Sequence, residues 1–472
     1  MASYSTQLAV LGAGPGGYAA AFLAADLGMQ VTLIDPEPNP GGVCVYRGCI
    51  PSKALLHVAK LLSETRHASA WGLTFAEPSI DLDKLRAWKE QVVAKLTGGT
   101  GQLSRLRKVK HVRGWATIVD PHTFEVETAD GHQRVTFEHA ILATGSRPST
   151  IPSLSLESPR VMDSTAALEL RDVPGSLLVI GGGYIGLELG SVYAALGSKV
   201  TVVEMLSGLL PGADRDLVGV LAKRIDTLFE TVHLRTKVAA LKEVEHGVHV
   251  TFEDEHMQRR EQVFDKVLVS IGRRPNSNIP GLEKTKVELD SRGFIKVDPK
   301  RQTAEPSLYA IGDVVGEPML AHKASHEGRT AVEAIHGQDV VFAPSAIPAV
   351  VFTDPELAWC GLTEEQAKRD GRRIEIAKFP WGASGRARTL DREDGLTKLV
   401  VEPVTERVLG VGIVGAGAGE LIAEGVLAVE MGACVSDLKL TIHPHPTLSE
   451  TLMESAEIYF GQSTHAYRPR RH

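Results

Sequence analysis

The chain of 472 residues is too long for a single core, so two to four domains are expected. Hydrophobic residues make up 43% and charged residues 23%, and the formal charge of −7 leaves no basic field to draw in nucleic acid or an anionic membrane. The uncharged run 8–25 has the length of a membrane span, but it holds Pro15 and four glycines with no basic residue before it, so it reads neither as a span nor as a signal peptide. A cytoplasmic, reducing compartment is expected, where a pair of neighbouring cysteines is more often catalytic than structural.

The first element is the strand-like LAVLG, which turns through GAGPGG into an alanine-rich helix and ends in a second strand, VTLID. Gly12, Gly14 and Gly17 fit G-x-G-x-x-G, and Asp35 closes the second strand. In this setting the glycines permit a tight turn and close pyrophosphate approach, the helix N-terminus receives phosphate, and the acid meets ribose hydroxyls.

Next comes GGVCVYRGCIPSK, residues 41–53, with Cys44 and Cys49 five positions apart. Pro51 suits the first turn of a helix running on through 54–62, which places Cys49 just ahead of the helix N-terminus. The helix dipole and Lys53 both favour a thiolate there. The pattern favours a redox disulfide over a structural bridge or half a metal site. Metal sites need a second cysteine pair, and Cys360 and Cys434 stand apart in apolar surroundings, reading as buried thiols. No metal is expected.

An amphipathic stretch over 80–96 and short strands over 109–135 lead to ILATGSRP, whose Thr144 and Gly145 end a buried strand. The first motif then repeats as LLVIGGGYIGLELGSVYAALGSKVTVVE. Gly181, Gly183 and Gly186 hold the glycine positions, and Glu204 follows Gly181 at the same 23-residue interval that separates Asp35 from Gly12. With no arginine until Arg215, a carboxylate at position 204 favours the free ribose hydroxyl of NAD over the phosphate of NADP. Glu188, in this second helix, is either a functional acid or merely a favourable charge near a helix N-terminus. VLVSIGRRPN carries Gly272, and LYAIGDVVG ends a strand at Asp313, which is placed to meet a flavin's sugar-alcohol hydroxyl or to cap a turn. From about 344 the pattern becomes strand-rich with two late helices, over 420–431 and 448–460. Within it, IHPHPTLSE sets His445 five residues before Glu450, the composition of an oriented general base or of a surface histidine near a helix start. The terminal Arg468, Arg470 and Arg471 form a short basic tail.

GGVCxxxGCIPSK, the paired fingerprints, AIGD and HPHPTLSE together resemble the FAD-dependent pyridine nucleotide-disulfide oxidoreductases, over about 7–460, and among them those that oxidise dihydrolipoamide. The resemblance implies an α/β fold with two Rossmann-like dinucleotide-binding domains, glutathione-reductase-like, and a C-terminal α+β dimerisation domain. The implied division is 1–148 for the first part of the FAD domain, 149–271 for the NAD domain, 272–343 for the second part of the FAD domain and 344–472 for the interface. It further implies that Gly12, Gly14, Gly17, Asp35, Thr144, Gly145 and Asp313 hold FAD, with Lys53 against the flavin and paired with Glu188. Gly181, Gly183, Gly186, Glu204 and Gly272 would hold NAD. In a homodimer, His445 and Glu450 would reach the Cys44–Cys49 disulfide of the other subunit. The implied partners are the lipoyl domains and acyltransferase core of 2-oxoacid dehydrogenase complexes.

Two positions depart from the family: Asp35 stands where Glu is common, and Tyr46-Arg47 where Asn-Val is usual. Arg47 is expected either to face solvent or to lower a thiol pKa. The competing readings are a glutathione or mercuric reductase-like enzyme and a non-catalytic structural subunit of such a complex. Arginines near Glu204 or a C-terminal cysteine pair would favour the first, and neither is present; the intact Cys44, Cys49 and His445 speak against the second.

Overall fold

Strand β1, Ala2–Leu11, enters the centre of a sheet in the computed structural model, which describes residues 2–151, 154 and 156–467. The basic tail lies outside the described residues. Helix α1, Pro15–Asp26, returns the chain to β2, Val31–Ile34, parallel to β1. Two helices follow end to end, α2 (Gly42–Arg47) and α3 (Cys49–His67), and then α4 (Leu82–Leu106), longer than its amphipathic stretch predicted. β3 (Lys110–Val112) completes the parallel edge; β4 (Trp115–Asp120), β5 (Thr123–Thr128) and β6 (Gly131–Leu142) form an antiparallel meander. β1 begins earlier than its apolar core suggested because it pairs with β6 from Ala2 onward.

A crossing segment, β7 (Ser146–Pro148), leads to β8 (Val161–Met162), α5 (Ser164–Glu169), β9 (Ser176–Ile180), α6 (Tyr184–Leu196), β10 (Lys199–Val203), α7 (Arg215–Leu228) and β11 (Thr231–His233). An antiparallel trio follows, β12 (Thr236–Val244), β13 (Gly247–Asp254) and β14 (Arg259–Phe264), before β15 (Lys266–Val269). The order β11-β10-β9-β15-β8 is parallel throughout, the arrangement that alternating strand and helix patterns produce. β16 (Arg273–Pro275) pairs antiparallel with β7, and the chain returns to the first sheet, where β17 (Leu308–Ala310) lies parallel to the end of β6. Helix α8, Ala321–Ile335, packs on α1; a side chain at Gly328 would meet the Gly16 carbonyl at 2.7 Å.

The last layer is antiparallel, in the order β18 (Ala349–Val351), β19 (Glu356–Gly361), β22 (Val408–Gly415), β21 (Leu396–Val401), β20 (Glu375–Pro380). In chain order it continues with α9 (Glu364–Arg369), β20 (Glu375–Pro380), α10 (Gly385–Thr389), β21 (Leu396–Val401) and β22 (Val408–Gly415). Helices α11 (Ala418–Glu430), α12 (Val435–Leu440) and α13 (Glu450–Tyr459) finish it. Its core gathers Trp381, Phe379, Leu399, Ile413 and Leu452, all nearly inaccessible. Leu427, Met431, Leu440 and Ile442 lie on its outside, 62–94% exposed. Cys360 is buried as expected; Cys434 is not, and stands half-buried at the start of α12. No helix among the described residues is long and apolar enough to cross a membrane.

Candidate active site

Helix α2 is bounded by Gly41 and Gly48, and its single turn carries Cys44 round to Cys49. The expectation that Cys49 precedes the helix is corrected: Cys49 is the first residue of α3, and Pro51 the third, where a missing N–H still costs no intrahelical bond. The two sulfurs are free thiols that hydrogen-bond to each other. That bond from Cys44 is the main reason the Cys49 thiol falls to about 7; burial opposes it and Lys53 assists. The same contact, together with burial, pushes the Cys44 thiol up. In the reduced pair Cys49 therefore carries the charge while Cys44 keeps the proton.

One turn into α3, Lys53 Nζ lies 2.7 Å from Glu188 Oε2. The Glu188 side chain is 4% exposed, so its charge is no mere ornament of a helix N-terminus. Its other oxygen accepts the Phe352 N–H at 2.9 Å, and Lys53 sits 4.6 Å from the centre of the Phe352 ring. A residue just before β19 thus buttresses an ion pair formed between α3 and α6.

Both features open into one cavity of about 770 Å³, whose walls also include Gly12, Gly14, Gly17, Asp35, Thr144, Gly145 and Asp313. At Gly12, with φ +100°, a side chain would meet the Ala143 carbonyl at 2.3 Å; at Gly17 it would meet the Gly12 carbonyl at 1.9 Å. Gly14 is different, since nothing lies within 4 Å of where its Cβ would be. The first turn of α1 has neither a side-chain cap nor an acid, so its N–H donors face the cavity unclaimed. Asp35 Oδ2 accepts the Ala13 N–H at 2.7 Å, which ties the strand end to the glycine turn. Burial raises the Asp35 carboxyl, opposed by that N–H and by His111 and Arg47.

The repeat reproduces this geometry outside the cavity. Side chains at Gly181 and Gly186 would meet the Ser270 and Gly181 carbonyls at 2.5 and 2.3 Å, whereas Gly183 faces open space. Glu204 accepts the Gly182 and Leu206 N–H groups, both at 2.7 Å. Gly272 lies beside the β7–β16 crossing, its carbonyl accepting the Ser149 N–H at 2.9 Å.

His445 and Glu450 are also outside the cavity. His445 Nδ1 is 2.9 Å from Glu450 Oε1, and Glu450 Oε2 accepts the Thr447 N–H at 2.8 Å. Burial works against the Glu450 charge, but that N–H and the histidine outweigh it and hold the carboxyl below its usual range. The His445 side chain is 73% exposed, and its second ring nitrogen makes no bond within the described residues. Nearby, His443 is buried with Nδ1 against the Thr441 carbonyl and Nε2 against Glu424, at 2.9 and 2.8 Å, and so anchors the turn.

The Arg47 side chain is 41% exposed, in keeping with the solvent-facing expectation, but it is also paired. Its guanidinium pairs with Glu37 on the cavity wall, and the main influences on both thiols are the other cysteine, burial and Lys53. Sequence reading also passed over a network on the cavity wall: Arg273 Nε donates to Ser146 Oγ at 2.7 Å, and that hydroxyl donates to Asp313 at 2.5 Å. Tyr184, opening α6, was missed as well; burial pushes its phenol up to about 12. Its place directly after the second glycine turn was the available signal. Among the described residues the one three-acid cluster, Asp214, Asp216 and Glu364, is filled by the Lys398 ammonium at 2.6–2.9 Å.

Residues 6–328 match the family model of the pyridine nucleotide-disulphide oxidoreductases, and residues 347–456 match the dimerisation domain of the same family. The chain is 50% identical to a dihydrolipoyl dehydrogenase of Haemophilus influenzae over 460 residues, covering 97% of this chain and 96% of that one. It is 49% identical to the protein of the same name from Vibrio cholerae over 458 residues, with the same coverage. Among solved structures, it is similar to LpdA from Mycobacterium tuberculosis (TM-score 0.89, 28% identity, 96% of this chain and 99% of that one). It is also similar to the flavoprotein disulfide reductase RclA from Escherichia coli (TM-score 0.85, 28% identity, with the same coverage).

Proposed function

We propose, from the premise that the chain belongs to the pyridine nucleotide-disulphide oxidoreductase family, that it is a homodimeric enzyme that oxidises protein-bound dihydrolipoamide to lipoamide and reduces NAD. The observation that carries this reading is the pair Cys44 and Cys49 with its charge biased onto Cys49, set in one cavity with the Lys53–Glu188 ion pair and a fingerprint turn.

The residues fit FAD: Gly14 leaves room at an uncapped helix N-terminus, and Asp35 and Asp313 stand at separate places on the wall. Bound there, FAD supplies the two-electron relay between sulfur and nicotinamide. Gly181, Gly183, Gly186 and Glu204 serve NAD, with Gly272 beside them, and Thr144 and Gly145 line the FAD side. The division 1–148, 149–271, 272–343 and 344–472 follows, with β17 and α8 returning to the first sheet.

The partner subunit's His445, oriented through Nδ1 by its Glu450, takes the proton from a substrate thiol. The resulting thiolate attacks Cys44 Sγ, the Cys44–Cys49 bond breaks, and Cys49 leaves as the thiolate that Lys53 favours. The second substrate thiol then attacks the mixed disulfide, closing lipoamide and releasing Cys44 with a proton. Two electrons have passed from the dithiol to the enzyme pair, and they leave to NAD. The exposed apolar residues of α11, α12 and the following turn, including Ile442, suit a two-fold contact that carries His445 across. The dithiol is presented by lipoyl domains of a 2-oxoacid dehydrogenase complex, assembled on its acyltransferase core, in the cytoplasm.

The test is anaerobic addition of dihydrolipoamide to the yellow protein, followed by NAD. Bleaching of the flavin spectrum and its return with NADH formation are expected. A protein that stays colourless after refolding with FAD, or is bleached by NADPH and not by dihydrolipoamide, would refute the assignment.

A further inference from the structure

Tyr46 and Arg47 stand between the two cysteines, and the chemistry above uses neither. Tyr46 Oη donates to the Asn39 carbonyl at 3.0 Å and accepts the Asn39 N–H at 3.2 Å. Arg47 pairs with Glu37, whose own N–H is held by Asp35 Oδ1 at 2.9 Å. The α2 turn is thereby bound at two adjacent side chains to the loop that follows the first fingerprint acid. That loop is in turn wedged against α4: a side chain at Gly101 would meet Asn39 Oδ1 at 2.0 Å, and Thr100 bonds the Pro40 carbonyl. On the other side Gly42, with φ +58°, sits so close to Gly14 that a side chain there would meet its Cα at 2.5 Å. Arg47, Glu37, Asp35, Cys44, Cys49 and Lys53 all line the one cavity.

We infer that Tyr46 and Arg47 are positioning residues that make retention of the adenylate half of FAD and placement of the Cys44 turn a single structural event. The inference rests on the proposed FAD site. Arg47 acts through Glu37 and the loop, while the thiols answer mainly to each other, to burial and to Lys53.

The test compares the holoenzyme with Tyr46→Phe, Arg47→Val, Arg47→Lys, Glu37→Gln and the Arg47→Val/Glu37→Gln double variant. FAD release is read as the rise in flavin fluorescence on dilution, and the reduced thiols by the pH dependence of alkylation with iodoacetamide. Release about three- to tenfold faster is expected in Tyr46→Phe and Arg47→Val, with Arg47→Lys restored most of the way. The double variant should release FAD no faster than its quicker single parent, since both changes break one contact. The alkylation midpoint of Arg47→Val should match that of the parent. Release within twofold of the parent in both Tyr46→Phe and Arg47→Val, a double variant equal to the product of the singles, or a raised alkylation midpoint in Arg47→Val would overturn the inference. Unchanged variants of a yellow parent would remove this role alone, whereas a parent that binds no FAD would remove the proposed site with it.

Discussion

Replacing Lys53 by methionine separates the two things that its ammonium does. It leaves Glu188 nearly buried without its cation, and it takes a positive charge from beside Cys49. Breaking one side of a buried ion pair typically costs about 3–5 kcal/mol, but Lys53 is 30% exposed and the Phe352 N–H stays bound to Glu188. The expected loss is therefore about 2–3 kcal/mol, read by urea unfolding of the holoenzyme. Lys53→Met/Glu188→Gln should recover more than half of it, because no orphaned carboxylate remains. The Cys49 thiol should rise, but only in part, because the bond from Cys44 that lowers it most stays in place. A lowered thiol pKa means the thiolate exists above it and is lost as pH falls through it. Near neutral pH the variant should therefore hold less of its Cys49 as thiolate than the reduced parent. Alkylation rate against pH reads this directly. A variant within about 0.5 kcal/mol of the parent and with an unmoved alkylation midpoint would refute both the buried-pair and the electrostatic arguments.

His445→Ala should keep its flavin and lose dithiol turnover by about 10²-fold or more, while turnover within threefold of the parent would remove the histidine from proton transfer. Mixing His445→Ala with Cys44→Ser subunits, each inactive alone, should restore about a quarter of normal activity, because half the dimers then hold one complete site; no recovery after confirmed subunit exchange would exclude a two-chain site. His443→Ala should lower turnover several-fold with KM for NAD unchanged, since it anchors the His445 turn and touches no nucleotide turn. Glu204→Ala frees two backbone N–H groups of the second fingerprint and should raise KM for NAD by about tenfold or more, with kcat nearly kept; an unchanged KM would detach Glu204 from NAD. Lys398→Met should destabilise the protein by about 3–5 kcal/mol, as Asp214 is left buried without its cation.

The fingerprints were legible because their glycines answer contacts within a few residues or across one strand: Gly17 against Gly12, Gly186 against Gly181. Strand-helix alternation likewise announced both parallel sheets, and a change of pattern near 344 announced the antiparallel layer. The helical turn through Cys44 was not legible, since a helix of six residues between glycines has no period to read. The pairing of Arg47 was not legible because its partner Glu37 lies across a loop whose path depends on Asn39 packing against Gly101 of a distant helix. Phe352 was invisible for a stronger reason: its bond to Glu188 is made by the backbone N–H, which carries no side-chain signature. Cys434 looked buried from its apolar neighbours, yet it begins a short helix at the surface.

Several polar contacts stitch the second parallel sheet and its helices to the antiparallel layer, among them Phe352 N–H to Glu188 and Lys398 to Asp214. If the layers part, Asp214 loses its cation, and Glu188 keeps Lys53 but loses the Phe352 N–H. Cutting the chain near residue 344 would amputate the layer rather than liberate it, with both halves precipitating instead of folding alone. Heating the intact protein should yield one calorimetric peak, and redox sulfur and subunit contact should be lost together.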